Sequence, residues 1–130
     1  MNRWRLMSLA VLLMAVIAVG GCFLFPNNRP VASFTVTRSV NPDNPDPLVV
    51  VLDASASSDP DGDEILDYMW SFGDDVTILT PLEITKTLSV PVLTVRYPVE
   101  GTYHLTLVVV DSNDAPSDPV STDMQVPLPE

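Results

Sequence analysis

The chain has 130 residues, with six basic and seventeen acidic side chains. Two of the basic residues, Arg3 and Arg5, lie in an apolar leader, so four basic residues remain against all seventeen acidic ones in the part that follows. This balance excludes nucleic-acid binding as an expected function, because such binding depends on neutralising phosphates with Lys and Arg. Cys22 is the only cysteine, which rules out an intrachain disulfide.

The first 21 residues have the organisation of an export signal. Two arginines precede an apolar run at 6–19, which predicts a hydrophobic signal helix, and small residues follow it. The segment Val19-Gly20-Gly21-Cys22 resembles the lipobox of bacterial lipoproteins, in which a peptidase cleaves before a cysteine that is acylated. The resemblance implies a signal peptide at 1–21, palmitate-type acyl chains on Cys22, and a lipidated N-terminus with its tether at 22–30.

An uncleaved membrane helix is the alternative to this lipid anchor. The segment Leu6–Phe25 is long enough to span a bilayer. Gly20 and Gly21 weaken a helix at the point where the peptidase needs an extended chain, which favours cleavage. Phe23 is not acidic, and by resemblance to lipoproteins of hosts with two membranes this favours the outer membrane or cell surface over retention at the inner membrane.

After the leader, short alternating apolar stretches are separated by turns, and no helical periodicity is present. The pattern is typical of an immunoglobulin-like antiparallel β-sandwich of about seven strands, an all-β fold, here expected over 31–128. The segment Gly73–Pro81 has no clear assignment. The predicted strands are 32–37, Leu48–Leu52, Ile65–Phe72, Glu83–Val90, Val92–Tyr97, Thr102–Val110 and 120–126.

An acidic turn leads directly into an aromatic strand. Asp59 and Pro60 suit the first two positions of a type I turn, and Gly62 suits the last. In the strand that follows, alternate side chains share one face, and we expect that face to lie in the core. The residues on it are Leu66, Tyr68, Trp70 and Phe72.

The segment Thr102–Val110 is the strongest strand prediction in the chain. Apolar residues occupy both of its faces, which predicts that this strand is covered on both sides. Tyr103 follows Gly101 by two positions and is expected to be a corner tyrosine, whose hydroxyl ties the strand to a nearby turn.

Three carboxylates at alternate positions, Asp59, Asp61 and Asp63, suggest a calcium site, because Ca²⁺ prefers hard oxygen ligands. The spacing is not that of an EF-hand. Glu64 stands where that motif needs its glycine and Trp70 where it needs its bidentate acid. The alternative is a solvated turn whose charges limit aggregation.

Several motifs together resemble the PKD (polycystic kidney disease) domain, an immunoglobulin-like sandwich of cell-surface and secreted proteins. Two positions depart from the family pattern, since Asp75 stands in place of a glycine and Val95 in place of a frequent histidine. Some members bind calcium at the acidic turn, which implies that Asp111 or Asp114 lies near it. The matching segments are Pro30–Phe34, Leu52–Ser55, Ser58–Gly62, Tyr68–Asp74, Tyr97 and Gly101–Asp111.

Catalysis has little support in the sequence. His104 is the only imidazole and lies in the middle of a strand, while Asp74 and Asp75 are neighbours whose side chains point apart. We therefore predict a non-enzymatic lipid-anchored module that contacts another envelope protein or a glycan, or acts as a spacer. One alternative is a calcium-binding adhesion module, with calcium as the one candidate cofactor. A weaker alternative is an accessory domain of a small hydrolase.

Overall fold

The computed structural model describes residues 26–39, 45–80 and 89–129. The predicted signal peptide, Cys22 and most of the predicted strand Glu83–Val90 lie outside these residues. Within the described ranges, no helix is both long and apolar enough to span a bilayer.

In the part of the chain that the structure describes, seven strands form two antiparallel sheets, which confirms the predicted all-β immunoglobulin-like sandwich. One sheet has the order β1-β2-β5-β4 and the other the order β3-β6-β7. The fourth strand falls in the segment that the sequence left unassigned. The bounds are β1 Thr35–Arg38, β2 Val49–Asp53, β3 Ile65–Ser71, β4 Thr77–Thr80, β5 Val92–Arg96, β6 Gly101–Asp111 and β7 Val120–Val126.

The core lies between the two sheets and follows the alternation of the central strands. In β6, Leu105, Leu107 and Val109 are fully buried. The opposite face of β6 is not covered by another layer among the described residues: His104 is exposed and Val108 is half-buried. The prediction that this strand is covered on both sides is therefore wrong for the described residues, because the apolar side chains on its outer face, Val108 and Val110, are only half-buried.

A β-bulge changes the phase of β3 at its start. The pairing with β6 shifts between Ile65 and Asp67, so Leu66 is the extra residue. Ile65 packs against the core, whereas Leu66 is 51% exposed. The prediction that Leu66 shares the core face of Trp70 is wrong for this reason.

The first strand begins later than the sequence predicts. Val31 forms an isolated antiparallel bridge with Ser58, and regular pairing of β1 with β2 starts only at Thr35. The chain before β1 therefore runs along the acidic turn, and this contact positions the candidate site.

Candidate functional site

The acidic turn is closed by its own backbone and by one aspartate side chain. The Gly62 amide donates to the Asp59 carbonyl at 3.2 Å, and Gly62 has a φ of +84°, a conformation that favours glycine. Asp59 Oδ1 accepts from the amides of Asp61 at 2.7 Å and Asp63 at 3.3 Å. The turn therefore holds its carboxylates in fixed positions.

Three carboxylates meet at this turn. Asp59, Asp61 and Asp63 each place one oxygen within 4.8 Å of the others. Asp59 Oδ2 is buried and has no hydrogen-bond partner among the described residues. A buried oxygen without a donor is costly unless a cation or water satisfies it, so the donor set fits a hard cation such as Ca²⁺.

The segment 27–31, which we call the strap, is bound across this turn. The backbone amide of Asn28 donates to Asp61 Oδ2 at 2.6 Å, and its side-chain amide donates to Oδ1 at 2.8 Å. The Val31 amide donates to the Ser58 carbonyl at 2.7 Å, and the reverse bond is 3.1 Å long. An exposed ion pair of Arg29 with Asp118 at 3.2 Å adds little.

Asp111 is not one of the three carboxylates whose oxygens lie within 4.8 Å of one another. It ends β6, is 1% exposed, and accepts from the amides of Asn113 and Ala115, both at 2.8 Å, through Oδ1. Its Oδ2 accepts from the Asn27 side chain at 2.9 Å. Burial opposes ionisation of Asp111, but the hydrogen bonds from Ala115, Asn27 and Asn113 outweigh it and hold its pKa below the ordinary value.

One asparagine connects Asp111's loop to the acidic turn. The side-chain amide of Asn113 donates to Asp63 Oδ2 at 2.6 Å and to Asn27 Oδ1 at 3.2 Å. Asp114, the other predicted neighbour, has a φ of +62° and stays exposed. The structure thus brings together three of the predicted acids, and it adds Asn27, Asn28 and Asn113, which sequence reasoning missed.

The predicted core aromatics differ in burial. Trp70 is 7% exposed, donates to the Val90 carbonyl at 3.3 Å and meets Phe34 edge-on with ring centroids 5.3 Å apart. Phe72 is buried, whereas Tyr68 is half-buried, which raises the pKa of its hydroxyl. These side chains therefore serve packing and present no exposed ring.

A second aromatic pair lies at the end of the sandwich opposite to the acidic turn. The half-buried Tyr103 donates its hydroxyl to the Val99 carbonyl at 2.8 Å, and its ring lies 4.2 Å from that of Tyr97. Tyr97 is fully buried, and its hydroxyl has no partner among the described residues. Burial, helped by Tyr103, raises the pKa of Tyr97 to about 12. The sequence offers a weak signal for Tyr97, since it precedes a proline at a strand end.

The residues considered for catalysis form no catalytic group in the described part of the chain. His104 is exposed and pairs with Asp123 at 2.7 Å on the outer face of the sheet. Asp74 and Asp75 are exposed in a turn, where Asp75 has a φ of +59°. At that end, prolines and Arg38 line an open groove of about 470 Å³.

A family model and two similar solved structures indicate the same family. The family model described as the PKD domain matches residues 27–126. The chain is similar to the PKD1 domain of Vibrio anguillarum Epp, with 25% identity and a TM-score of 0.57, covering 80% of this chain and 100% of that one. It is also similar to the PKD1 domain of the Vibrio cholerae metalloprotease PrtV, with 26% identity and a TM-score of 0.54 over 76% and 98% of the two chains.

A third similar structure concerns carbohydrate-binding modules of the β-sandwich superfamily with promiscuous specificity. It matches at 29% identity and a TM-score of 0.56, over 78% of this chain but only 36% of that chain. No curated protein matches the sequence significantly.

Proposed function

Because this chain belongs to the PKD domain family, we propose that it is a lipid-anchored, extracytoplasmic module that contacts another protein or acts as a spacer, without catalytic activity. The observation that carries the proposal is the order of segments in the sequence. A lipobox-like Gly20-Gly21-Cys22 stands five residues before Asn27, where the family match begins. In this order, the folded domain would follow the acylated cysteine after a short tether.

The exposed apolar side chains favour protein over glycan as the contact. Sugar rings are commonly held by exposed aromatic faces, but all Phe, Tyr and Trp side chains in the described ranges are buried or half-buried. The large exposed apolar side chains there are all aliphatic. They are Val31, Leu66, Met69, Val92, Val99 and Val120.

The proposal is tested in the native host with the full chain and a Cys22→Ser variant. We expect the unaltered protein to label with an alkyne fatty acid, to remain in the membrane fraction and to be degraded when protease is added outside the cytoplasm. The variant should lose the label and the membrane retention. Crosslinking then distinguishes a contact module from a spacer, since only a contact module yields a reproducible heterologous partner.

A second candidate function is calcium-dependent contact. It is favoured by the three carboxylates within 4.8 Å and by the unpartnered Asp59 Oδ2. A cation at that site would be bound by Asp59, Asp61 and Asp63, and its charge would offset their mutual repulsion. Binding to the folded state alone stabilises it by about 2.7 kcal/mol when the ion is present at about 100 times its Kd.

Thermal unfolding with and without millimolar calcium tests this candidate. We expect the midpoint to rise with calcium and to rise less with magnesium, which demands a more regular geometry. Asp61→Asn should abolish the rise, while the matched control Asp118→Asn, an exposed acid outside the cluster, should keep it. An equal response of the two variants would contradict a site at the turn.

A further inference from the structure

The strap, residues 27–31, is part of the folded domain and not a free linker. The family match begins at Asn27, and the strap's amides bind Asp61, Asp111 and Ser58. These contacts join the chain to the acidic end of the sandwich, which we define as residues 27–31, 57–64 and 111–118. The domain is therefore held by this end, wherever the chain before it is anchored.

Few residues separate the anchor from the strap. Five peptide steps separate Cys22 from Asn27, and a fully extended chain spans at most about 3.6 Å per residue, or roughly 18 Å in all. The eleven residues of β6 run from the opposite end to the acidic end, a length of about 35 Å at roughly 3.4 Å per residue. The greatest possible distance between the anchor and the acidic end is thus about half the length of the sandwich.

From this geometry we propose that the strap sets the orientation of the domain on the membrane, with the acidic end toward the bilayer and the turns at 72–76 and 97–100 away from it. The proposal rests on the lipid anchor at Cys22. Beyond the anchor, the proposal specifies which end of the domain faces the lipid headgroups and which end a protein partner can reach. Release of the strap would add its residues to the connection between the anchor and the domain and would remove the orientation.

Charge alone predicts the opposite arrangement. An anionic membrane surface repels carboxylates within about a Debye length, so a freely tethered domain would turn its acidic end away. The strap contains one basic residue, Arg29, which pairs with Asp118. The carboxylates of the acidic end are Asp59, Asp61, Asp63, Glu64, Asp111, Asp114 and Asp118. The strap brings the acidic end toward the membrane, whereas charge repulsion turns it away. A measured orientation with the acidic end toward the membrane would therefore show that the strap determines it.

The experiment measures orientation on vesicles with the full acylated chain. The protein is extracted from membranes, acylation of Cys22 is verified by intact mass, and the protein is reconstituted into phosphatidylcholine vesicles that contain a nickel-chelating lipid. A nitroxide is attached to Ser112→Cys at the acidic end or to Glu100→Cys at the opposite end, both exposed positions. We expect nickel to enhance relaxation several-fold more at position 112 than at position 100.

A strap variant, Asn27→Ala with Asn28→Pro and Val31→Pro, removes the side-chain donors of the strap and the backbone donors of residues 28 and 31. It should bring this ratio close to one, and below one when anionic lipid is added. The matched control, Thr102→Ala with Gln125→Ala, removes an exposed cross-strand pair between β6 and β7 and should keep the ratio. Circular dichroism verifies that each variant retains the sandwich. Equal relaxation at both labels, or an unchanged ratio in the strap variant, would overturn the orientation. An unmodified Cys22 would instead overturn the lipid anchor.

Discussion

The aromatic core and the acidic end are stabilised by different interactions. In the core, Trp70 packs edge-on against Phe34, and Tyr97 lies against Tyr103. At the acidic end, amide donors of the strap and of the loop after β6 bind carboxylates. We expect side-chain truncation to lower the unfolding free energy most in the core, and acid to lower it mainly through the acidic end. Three variants test this contrast, and a fourth concerns a turn outside both regions.

The largest effect is expected for Trp70→Ala in the core. Removal of a large buried aromatic side chain costs about 3–5 kcal/mol of unfolding free energy, which approaches the total stability of a small domain. Met69→Ala is the matched control, because this neighbour is 57% exposed, and its cost should stay within about 0.5 kcal/mol. Urea unfolding of both variants measures the difference, and similar losses would contradict the placement of Trp70.

Acidification should act through Asp111 at the acidic end. Its pKa in the folded state lies below the ordinary value of 3.8, so its ionised form stabilises the fold. This stabilisation is complete above the ordinary pKa and is lost as the pH falls below it toward the folded-state pKa. Melting midpoints of Asp111→Asn should therefore fall less steeply with acid than those of the unaltered protein. Asp118→Asn, exposed at the same end, should keep the original slope.

A smaller effect of opposite sign is expected for Tyr97→Phe. The Tyr97 hydroxyl is buried without a partner in the described part of the chain, so its removal should raise the unfolding free energy by about 1 kcal/mol. Because burial raises the pKa of Tyr97 from 10.0 to about 12, the folded state resists ionisation of this hydroxyl, and stability is lost as the pH rises from 10.0 toward 12. Unfolding curves at neutral and alkaline pH should show the gain and a weaker alkaline loss. Destabilisation at neutral pH would contradict the unpaired hydroxyl.

The smallest effect is expected at the turn after β3. Asp75 has a φ of +59°, a conformation that costs a residue with a side chain more than it costs glycine. Asp75→Gly should therefore raise stability by about 0.5 kcal/mol, because relief of the left-handed strain, about 1 kcal/mol, exceeds the added backbone entropy of glycine, about 0.5 kcal/mol. Asp74→Gly, one position earlier, has no such strain to relieve and should lower it. A calorimetric comparison in which both variants lose stability would exclude this account of the turn.

The sandwich was predictable because the alternation of apolar residues within each strand determines which side chains lie in the core. Alternation along β6 placed Leu105, Leu107 and Val109 on one face, and all three are fully buried. The error at Leu66 has a local cause as well. A bulge inserts one residue into β3, and no glycine or proline marks its position in the sequence. The alternation of apolar residues therefore does not show which residues change face.

The site was predictable only in part, because its contacts are distant in the sequence. Asp59, Asp61 and Asp63 lie in one turn, and their clustering follows from their spacing. The contact of Asn28 with Asp61 joins residues 33 positions apart, and that of Asn27 with Asp111 joins residues 84 positions apart. No periodicity records such pairs, since they depend on the path of the strap across the folded sandwich.

The intact mass of the protein extracted from its native membranes tests the central claim most directly. The account predicts a chain that begins at Cys22, has lost residues 1–21 and carries the added mass of two or three acyl chains, as expected for stable anchoring. A mass equal to that of all 130 residues without acyl groups would contradict the lipid anchor, and with it the proposed position of the domain at the membrane.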